Sequence, residues 1–135
     1  MGFPIATKKS GFICFAFPDV CKTQVGPAQV PIPYPNLGQL SDATNVSDGE
    51  GEVLAGGNHV ILEDSEIQQT SGDEAGSIGG VKSGVTKGAA KFTKASGSVL
   101  IHNKGVVRML DTTTQNDENA TGFVLGGEPT ILVGD

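Results

Sequence analysis

Ser96–Gln115, SGSVLIHNKGVVRMLDTTTQ, reads as two short β-strands joined by a tight turn. Ser98–Ile101 is apolar and β-branched, and Val106–Leu110 repeats that character with Arg108 interrupting it. Asn103-Lys104-Gly105 lies between them. A three-residue hairpin loop closes through a residue in the left-handed region, and Gly105 takes that conformation without steric cost. Asp111-Thr112-Thr113-Thr114 then ends the apolar run, so Asp111 marks the hairpin's exit.

Outward from this hairpin, the composition predicts more of the same. Of 135 residues, 20 are glycine, about twice the usual ~7%. There is no tryptophan and one tyrosine. Many glycines between short β-branched runs predict small strands joined by tight turns, hence a mainly β fold in one domain spanning residues 1–135. Residues 1–10 are expected to be a loose lead-in. The formal charge of −6, from 15 acidic and 9 basic residues, argues against a nucleic-acid partner, which requires a basic face.

Targeting signals are not expected. The apolar run Gly11–Phe17 after Lys8-Lys9 is too short for a signal sequence and is stopped by Pro18-Asp19. Ala6 stands where N-myristoylation needs Ser or Thr. No stretch reaches the ~20 apolar residues of a membrane-spanning helix. The chain is expected to be made in the cytoplasm.

Gly11–Phe17 reads as a strand with one face in the core, turned by Pro18–Thr23. In Gln29–Asn36, QVPIPYPN, prolines 31, 33 and 35 alternate with other residues. Each proline fixes φ and removes a donor, so the stretch is a rigid extended rod or an edge strand, with Ile32 and Tyr34 on one side. Leu37–Gly51 reads as a loop with one short helical turn. Gln68–Val81, QQTSGDEAGSIGGV, reads as an exposed, irregular loop. Lys82–Ala95, with Phe92 as its one anchor, reads as a strand or a short helix, with a weak preference for strand. Gly122–Leu125 and Thr130–Val133 read as the last two strands. Three apolar triplets, Val60-Ile61-Leu62, Val99-Leu100-Ile101 and Ile131-Leu132-Val133, suggest a pseudo-threefold repeat.

Four segments in order, PDVCKT (Pro18–Thr23), VPIPYPNLGQLSD (Val30–Asp42), TSGDEAGSIGGV (Thr70–Val81) and VVRMLDTTTQN (Val106–Asn116), resemble the PAAR-like domains of bacterial contractile injection systems, in the branch marked by a PIPY motif. The resemblance covers about Phe15 to Asn116. It implies a small, cone-shaped β protein of pseudo-threefold character that caps the trimeric β-helical spike of a type VI-like secretion system, one copy per trimer. It also implies a toxin effector as cargo, secretion at the spike tip, and contact with the target membrane only by puncture. Pairing of exposed strand edges at the spike end is the physical rationale for such a cap. On this reading Pro31, Pro33, Tyr34 and Pro35 shape a docking wall, Gly72, Asp73 and Gly76 set a loop, and Gly105 and Asp111 set the hairpin and its exit.

PAAR proteins commonly hold zinc through His and Cys, and zinc takes about four such ligands. This chain offers Cys14, Cys21, His59 and His102. Cys21 alone matches a family position. Met109, Gln115 and Asp117 stand where the family tends to have histidine. The expectation is therefore no cofactor and no metal, with zinc at Cys21 as the alternative. Otherwise Cys21 is a small buried hydrophobe.

No catalytic motif is visible: GxSxG, HExxH and a phosphate-binding loop are all missing. Asp64, Glu66, Asp73 and Glu74 imitate a glycosidase carboxylate pair but read as solvated loop charges. The primary expectation is a non-enzymatic structural spike tip. A toxin adaptor acting in trans and a small secreted hydrolase are the alternatives.

Overall fold

A computed structural model describes residues 2–135. It is built almost wholly of strands: β1 (Phe3–Ile5), β2 (Ile13–Val25), β3 (Ala28–Gln39), β4 (Ala43–Thr44), β5 (Leu54–Ala55), β6 (Asn58–His59), β7 (Glu66–Ile67), β8 (Gly79–Gly80), β9 (Ala90–Phe92), β10 (Leu100–Ile101), β11 (Lys104–Gly105), β12 (Thr112–Gln115), β13 (Ala120–Val124) and β14 (Glu128–Val133). One 3-10 turn, Leu40–Asp42, falls where a short helical turn was expected. The mainly β fold agrees with the glycine-rich, β-branched composition. No helix among the described residues is long and apolar enough to cross a membrane.

The largest sheet runs β3-β2-β13-β12-β9-β7-β4, with β8 also paired to β2. Three two-stranded units stand apart from it: the short hairpins β5-β6 and β10-β11, and the long-range pair β1-β14. In these units Leu54 faces His59, Leu100 faces Gly105 and Leu132 faces Pro4. The register is the same in all three: two residues after His59, Gly105 and Pro4 come Ile61, Val107 and Ala6.

Those three residues close a ring. Ala6 N donates to Val107 O at 2.9 Å, Val107 N to Ile61 O at 2.9 Å, and Ile61 N to Ala6 O at 3.0 Å. Three flanking bonds link the same repeats in the opposite sense: Lys8 N to His59 O, Glu63 N to Gly105 O and Met109 N to Pro4 O, at 2.9, 2.9 and 2.8 Å. The backbone N–H and C=O of the buried Ala6, Ile61 and Val107 are thereby paired, as burial demands. Strand alternation then sends successive side chains to opposite sides of the ring. Ala6, Ile61 and Val107 enter the core beneath the main sheet, together with Ile67, Val124 and Phe92. Ile5, Val60 and Val106 enter a second core, with Ala55, Ile101 and Val133 from the partner strands of the three hairpin units.

The pseudo-threefold repeat is therefore real, but its register differs from the apolar triplets in the sequence. Val99-Leu100-Ile101 and Ile131-Leu132-Val133 are equivalent, and their third member is Val53-Leu54-Ala55. Val60-Ile61-Leu62 belongs to the ring layer, with Val106-Val107-Arg108 and Ile5-Ala6-Thr7. The composition of Ala6 and Arg108 hides the correspondence.

Four further expectations are corrected. The lead-in is not loose: Met1 lies outside the described residues, but Ile5, Ala6 and Thr7 are buried, and Phe3–Ile5 pairs with β14. The hairpin turn is a two-residue one, Ile101-His102-Asn103-Lys104, with φ of 53° and 66° at His102 and Asn103. This matches a type I′ turn, whose twist suits a hairpin. Gly105 has no positive φ; it lies in β11, where a Cβ would come 2.4 Å from Ser96 O. Pro18–Thr23 does not turn the chain. β2 continues through it with a register shift between Ala16 and Asp19, a bulge that admits Pro18. Finally, Gln68–Val81 is not simply exposed, because Thr70 and Asp73 are buried and Gly79–Gly80 pairs with β2.

Candidate functional site

Two features stand out from the rest of the surface and core: the three-cornered face carried by the hairpin units, and a buried polar cluster under the proline-rich strand.

On the first, alternation along each outer strand puts one residue into the core and its neighbour outside. Ala55, Ile101 and Val133 point in; Leu54, Leu100 and Leu132 point out and are 51%, 51% and 62% exposed. Val53 and Val99, one residue earlier, are also exposed. A leucine left half in water forfeits part of its ~1.5–3 kcal/mol of burial. Here the same leucine is left out three times, at the same register of each repeat. Single exposed apolar residues need no explanation, whereas a repeated set does.

The proline-rich segment forms most of β3, the edge strand of the main sheet. Pro31 and Pro33 lie opposite Lys22 and Val20. The carbonyls of those two residues accept from Ile78 N and Val81 N, so the strand loses nothing by lacking donors there. Pro31, Pro33 and Pro35 face solvent, while Ile32 and Tyr34 turn inward. The Tyr34 hydroxyl bonds Thr23 Oγ1 at 2.7 Å. Gly72 and Gly76 seat the following loop against this strand. At Gly72, φ is +118° and a Cβ would meet Pro35 O at 2.5 Å; at Gly76 it would meet the Cys21 Cβ at 2.4 Å. Both glycines are required by close approach.

That close loop delivers Asp73 to the interior. Asp73, Asp19 and Cys21 are all fully buried, and one ligand-type atom from each lies within 4.8 Å of the others. Asp19 and Cys21, two apart on β2, share a face. Asp73 Oδ1 accepts from Lys87 N at 2.9 Å, and Oδ2 from Asn36 Nδ2 at 3.5 Å. Asp19 Oδ1 accepts from Asn116 Nδ2 at 3.2 Å and from Asn119 Nδ2. Asp19 Oδ2 has no donor. Burial, and next the neighbouring Asp19 carboxyl, push Asp73 up to about 7. Burial, and then the charges of Asp19 and Asp73, push the Cys21 thiol up to about 12. Asp73 is thus not the solvated loop charge expected from sequence; Glu74 beside it is, capping Gly72 N at the surface.

An amide shell surrounds the acids and ties the glycine-rich segment to the sheet. Asn119 Oδ1 accepts from Lys82 N and Ser83 N, and Asn116 Oδ1 from Gly88 N. Gln115 Nε2 donates to Asn36 Oδ1 at 2.9 Å and accepts through Oε1 from Thr113 Oγ1. Asn116, Asp117 and Glu118 take positive φ, which carries Asn116 and Asn119 inward and leaves Asp117 and Glu118 outside. Sequence reading missed Asp19, Asn36, Gln115, Asn116 and Asn119. Four of them stood inside the quoted motifs, where the proline and glycine pattern drew attention away from the amides.

The thiol–imidazole set implied by the family resemblance does not fit here. His59 bonds Glu52 and His102 bonds Gly51 O, both at the surface. Gln115 is committed to Asn36 and Thr113, and Asp117 is exposed. Cys14 is free and buried in the main core, where desolvation pushes its thiol up to about 12. Cys21 is also a free thiol, and its companions are carboxylates.

Asp111 anchors the ring instead of lying at a solvated exit. Its Oδ1 accepts from Arg108 Nη2 at 2.9 Å and its Oδ2 from Arg108 Nε at 3.1 Å and Arg108 N at 2.8 Å. Arg108 Nη1 reaches Gly134 O at 3.0 Å, binding β14's end to the ring. Asp111 corresponds to Ser65 in the preceding repeat, whose hydroxyl accepts from Leu62 N at 2.9 Å.

Comparison with known proteins agrees with this geometry. The family model for the toxin PAAR-like domain matches residues 12–122. The DNase toxin Tse7 of Pseudomonas aeruginosa is 39% identical over 114 residues, which is 79% of this chain and 29% of that protein. The chain thus spans under a third of the relative's length. No solved structure matches. A repeated three-cornered β fold, the PIPY edge strand and the buried PDVC–GDEAG cluster all fall within or beside the matched stretch, and the chain belongs to the toxin PAAR-like domain family.

Proposed function

We propose that this domain caps a threefold-symmetric spike and that Leu54, Leu100 and Leu132 carry the contact. One observation supports the reading most: a single chain presents the same half-exposed leucine at the same register of three repeats, around a closed ring of hydrogen bonds. A monomeric partner has no use for three equivalent apolar corners; a trimer offers one equivalent pocket per subunit. Family membership supports the same role, at the tip of a type VI-like injection apparatus. Mixing the protein with the trimeric spike protein of its own genome, and weighing the complex by light scattering on a sizing column, tests it. One copy per trimer supports the cap. No complex, or three copies per trimer, removes it.

A second reading, carriage of a toxin, is favoured by the relative named a DNase toxin, of which this chain covers 29%. On this reading the domain is the delivery part and nuclease chemistry belongs to other sequence. The purified 135-residue chain then leaves plasmid DNA intact under conditions where a nuclease control cleaves it; cleavage that survives rigorous repurification transfers the activity to this domain.

A further inference from the structure

We propose that the pocket between the bulge of β2 and the 81–82 corner docks an acidic peptide segment of a partner protein, with one bulky apolar side chain inside and a neighbouring carboxylate on Lys82. The pocket is open, holds about 320 Å³, and is lined by Pro18, Val20, Val81, Lys82 and Asn119. Three distant parts of the chain build it. The register shift between Ala16 and Asp19 sets Pro18 out from the strand. Alternation along β2 then turns Asp19 and Cys21 inward and Val20 and Lys22 outward. Val81 N donates to Val20 O at 2.9 Å, which fixes the 81–82 corner against β2.

The polar groups at the pocket decide the ligand. Asn119 gives both amide hydrogens away, to Asp19 Oδ1 and Val20 O, and its Oδ1 accepts from Lys82 N and Ser83 N. It holds the pocket in shape and has no donor left for a ligand. The Lys82 ammonium is the charged group that remains, and Lys22 shares the outer face of β2 with Val20. Among the described residues neither lysine is in an ion pair. The carboxylates just before Asn119 are engaged elsewhere: Asp117 accepts from Ala89 N, and Glu118 lines a separate hollow with Lys91. A chain of net charge −6 thus sets two lysines free of ion pairs beside a preformed, largely apolar pocket. That combination complements an apolar side chain next to Asp or Glu.

Five lining residues make room for a side chain and not for an acyl tail, and the open mouth lets a peptide backbone pass over it. None of the five belongs to the two-stranded units that carry Leu54, Leu100 and Leu132, so the two contacts are separate.

The probes are blocked hexapeptides with a central Phe or Leu flanked by Asp, and matched peptides flanked by Lys, titrated into the ¹⁵N-labelled full chain. The expected result is saturable shifts of the Val20, Val81, Lys82 and Asn119 amides with the acidic set, about fivefold or more tighter than with the basic set. Lys82→Gln weakens binding by about two- to fivefold, the share of one exposed ion pair. Lys91→Gln, at the other hollow, leaves it unchanged. Val81→Asp puts a carboxylate at the mouth and abolishes binding, and its amide spectrum reports whether it folds. Four results overturn the proposal: no saturable shift with any peptide, equal binding of acidic and basic sets, an equal loss in Lys91→Gln and Lys82→Gln, or octanoate binding as tightly as the acidic peptides, which makes the pocket a small-molecule site.

Discussion

Leu54 and Leu100 occupy the same place in successive repeats: each pairs across a two-residue hairpin turn, with His59 and Gly105 respectively, and each is 51% exposed. Leu132 completes the set opposite Pro4 and joins the first and last strands of the chain. The third corner is thus built by β1 and β14, strands far apart in sequence, which is how one chain closes a threefold figure.

If these corners serve binding and not folding, replacing them should separate the two. Leu54→Asp, Leu100→Asp and Leu132→Asp are expected to change stability by no more than about 0.5 kcal/mol each, as surface substitutions do. Each should weaken association with the spike by more than about 1 kcal/mol. Calorimetric titration alongside thermal melts checks both numbers.

The hairpin turn makes a paired prediction. Gly105→Val drives a Cβ toward Ser96 O, 2.4 Å away, and should destabilise by about 1–3 kcal/mol. Asn103→Gly suits a φ of 66° and should be neutral or stabilise by a few tenths of a kcal/mol. Urea melts check both values, and a Gly105→Val variant as stable as the parent would contradict the close approach to Ser96.

Arg108 and Asp111 are 2% and 4% exposed and bond bidentately. Removing one partner strands the other, so Arg108→Ala or Asp111→Ala should cost about 3–5 kcal/mol. The double replacement Arg108→Met with Asp111→Ala should cost less than the sum of the two singles, which a double-mutant cycle measures.

Asn119 holds two backbone donors of the 79–85 segment and both Asp19 and Val20. Asn119→Ala leaves buried groups unpaired and should loosen this segment first. Faster hydrogen exchange at Lys82 and Ser83, with the ring amides of Ala6, Ile61 and Val107 still protected, is the expected pattern.

Much of the fold was legible where local rules decide. The edge strand at Pro31–Pro35 follows from missing donors, and the mainly β class from glycine and β-branched residues. The repeat was visible only in outline. Its ring layer contains Ala6 and Arg108, whose side chains answer to different neighbours, so equivalent backbone positions carry unlike residues. Gly105 was read as a left-handed turn residue, whereas the structure gives it no positive φ and a close approach to Ser96 O instead. The buried cluster was the least legible part. Asp73 sits in a glycine-rich stretch that reads as solvent-exposed, and only the close approach permitted by Gly72 and Gly76 carries it inside. Burial of that kind depends on contacts between residues about 50 positions apart, Asp73 with Cys21 and Asp19, which no local pattern encodes.

The most direct measurement places a photo-crosslinker on a single cysteine at position 54, 100 or 132, in a background with Cys14 and Cys21 replaced by alanine that still folds. Each label should crosslink to the trimeric spike protein with comparable yield, and a label at exposed Glu118 should not. Crosslinking from only one of the three corners, or equal labelling from Glu118, would contradict a threefold cap seated on the leucine face.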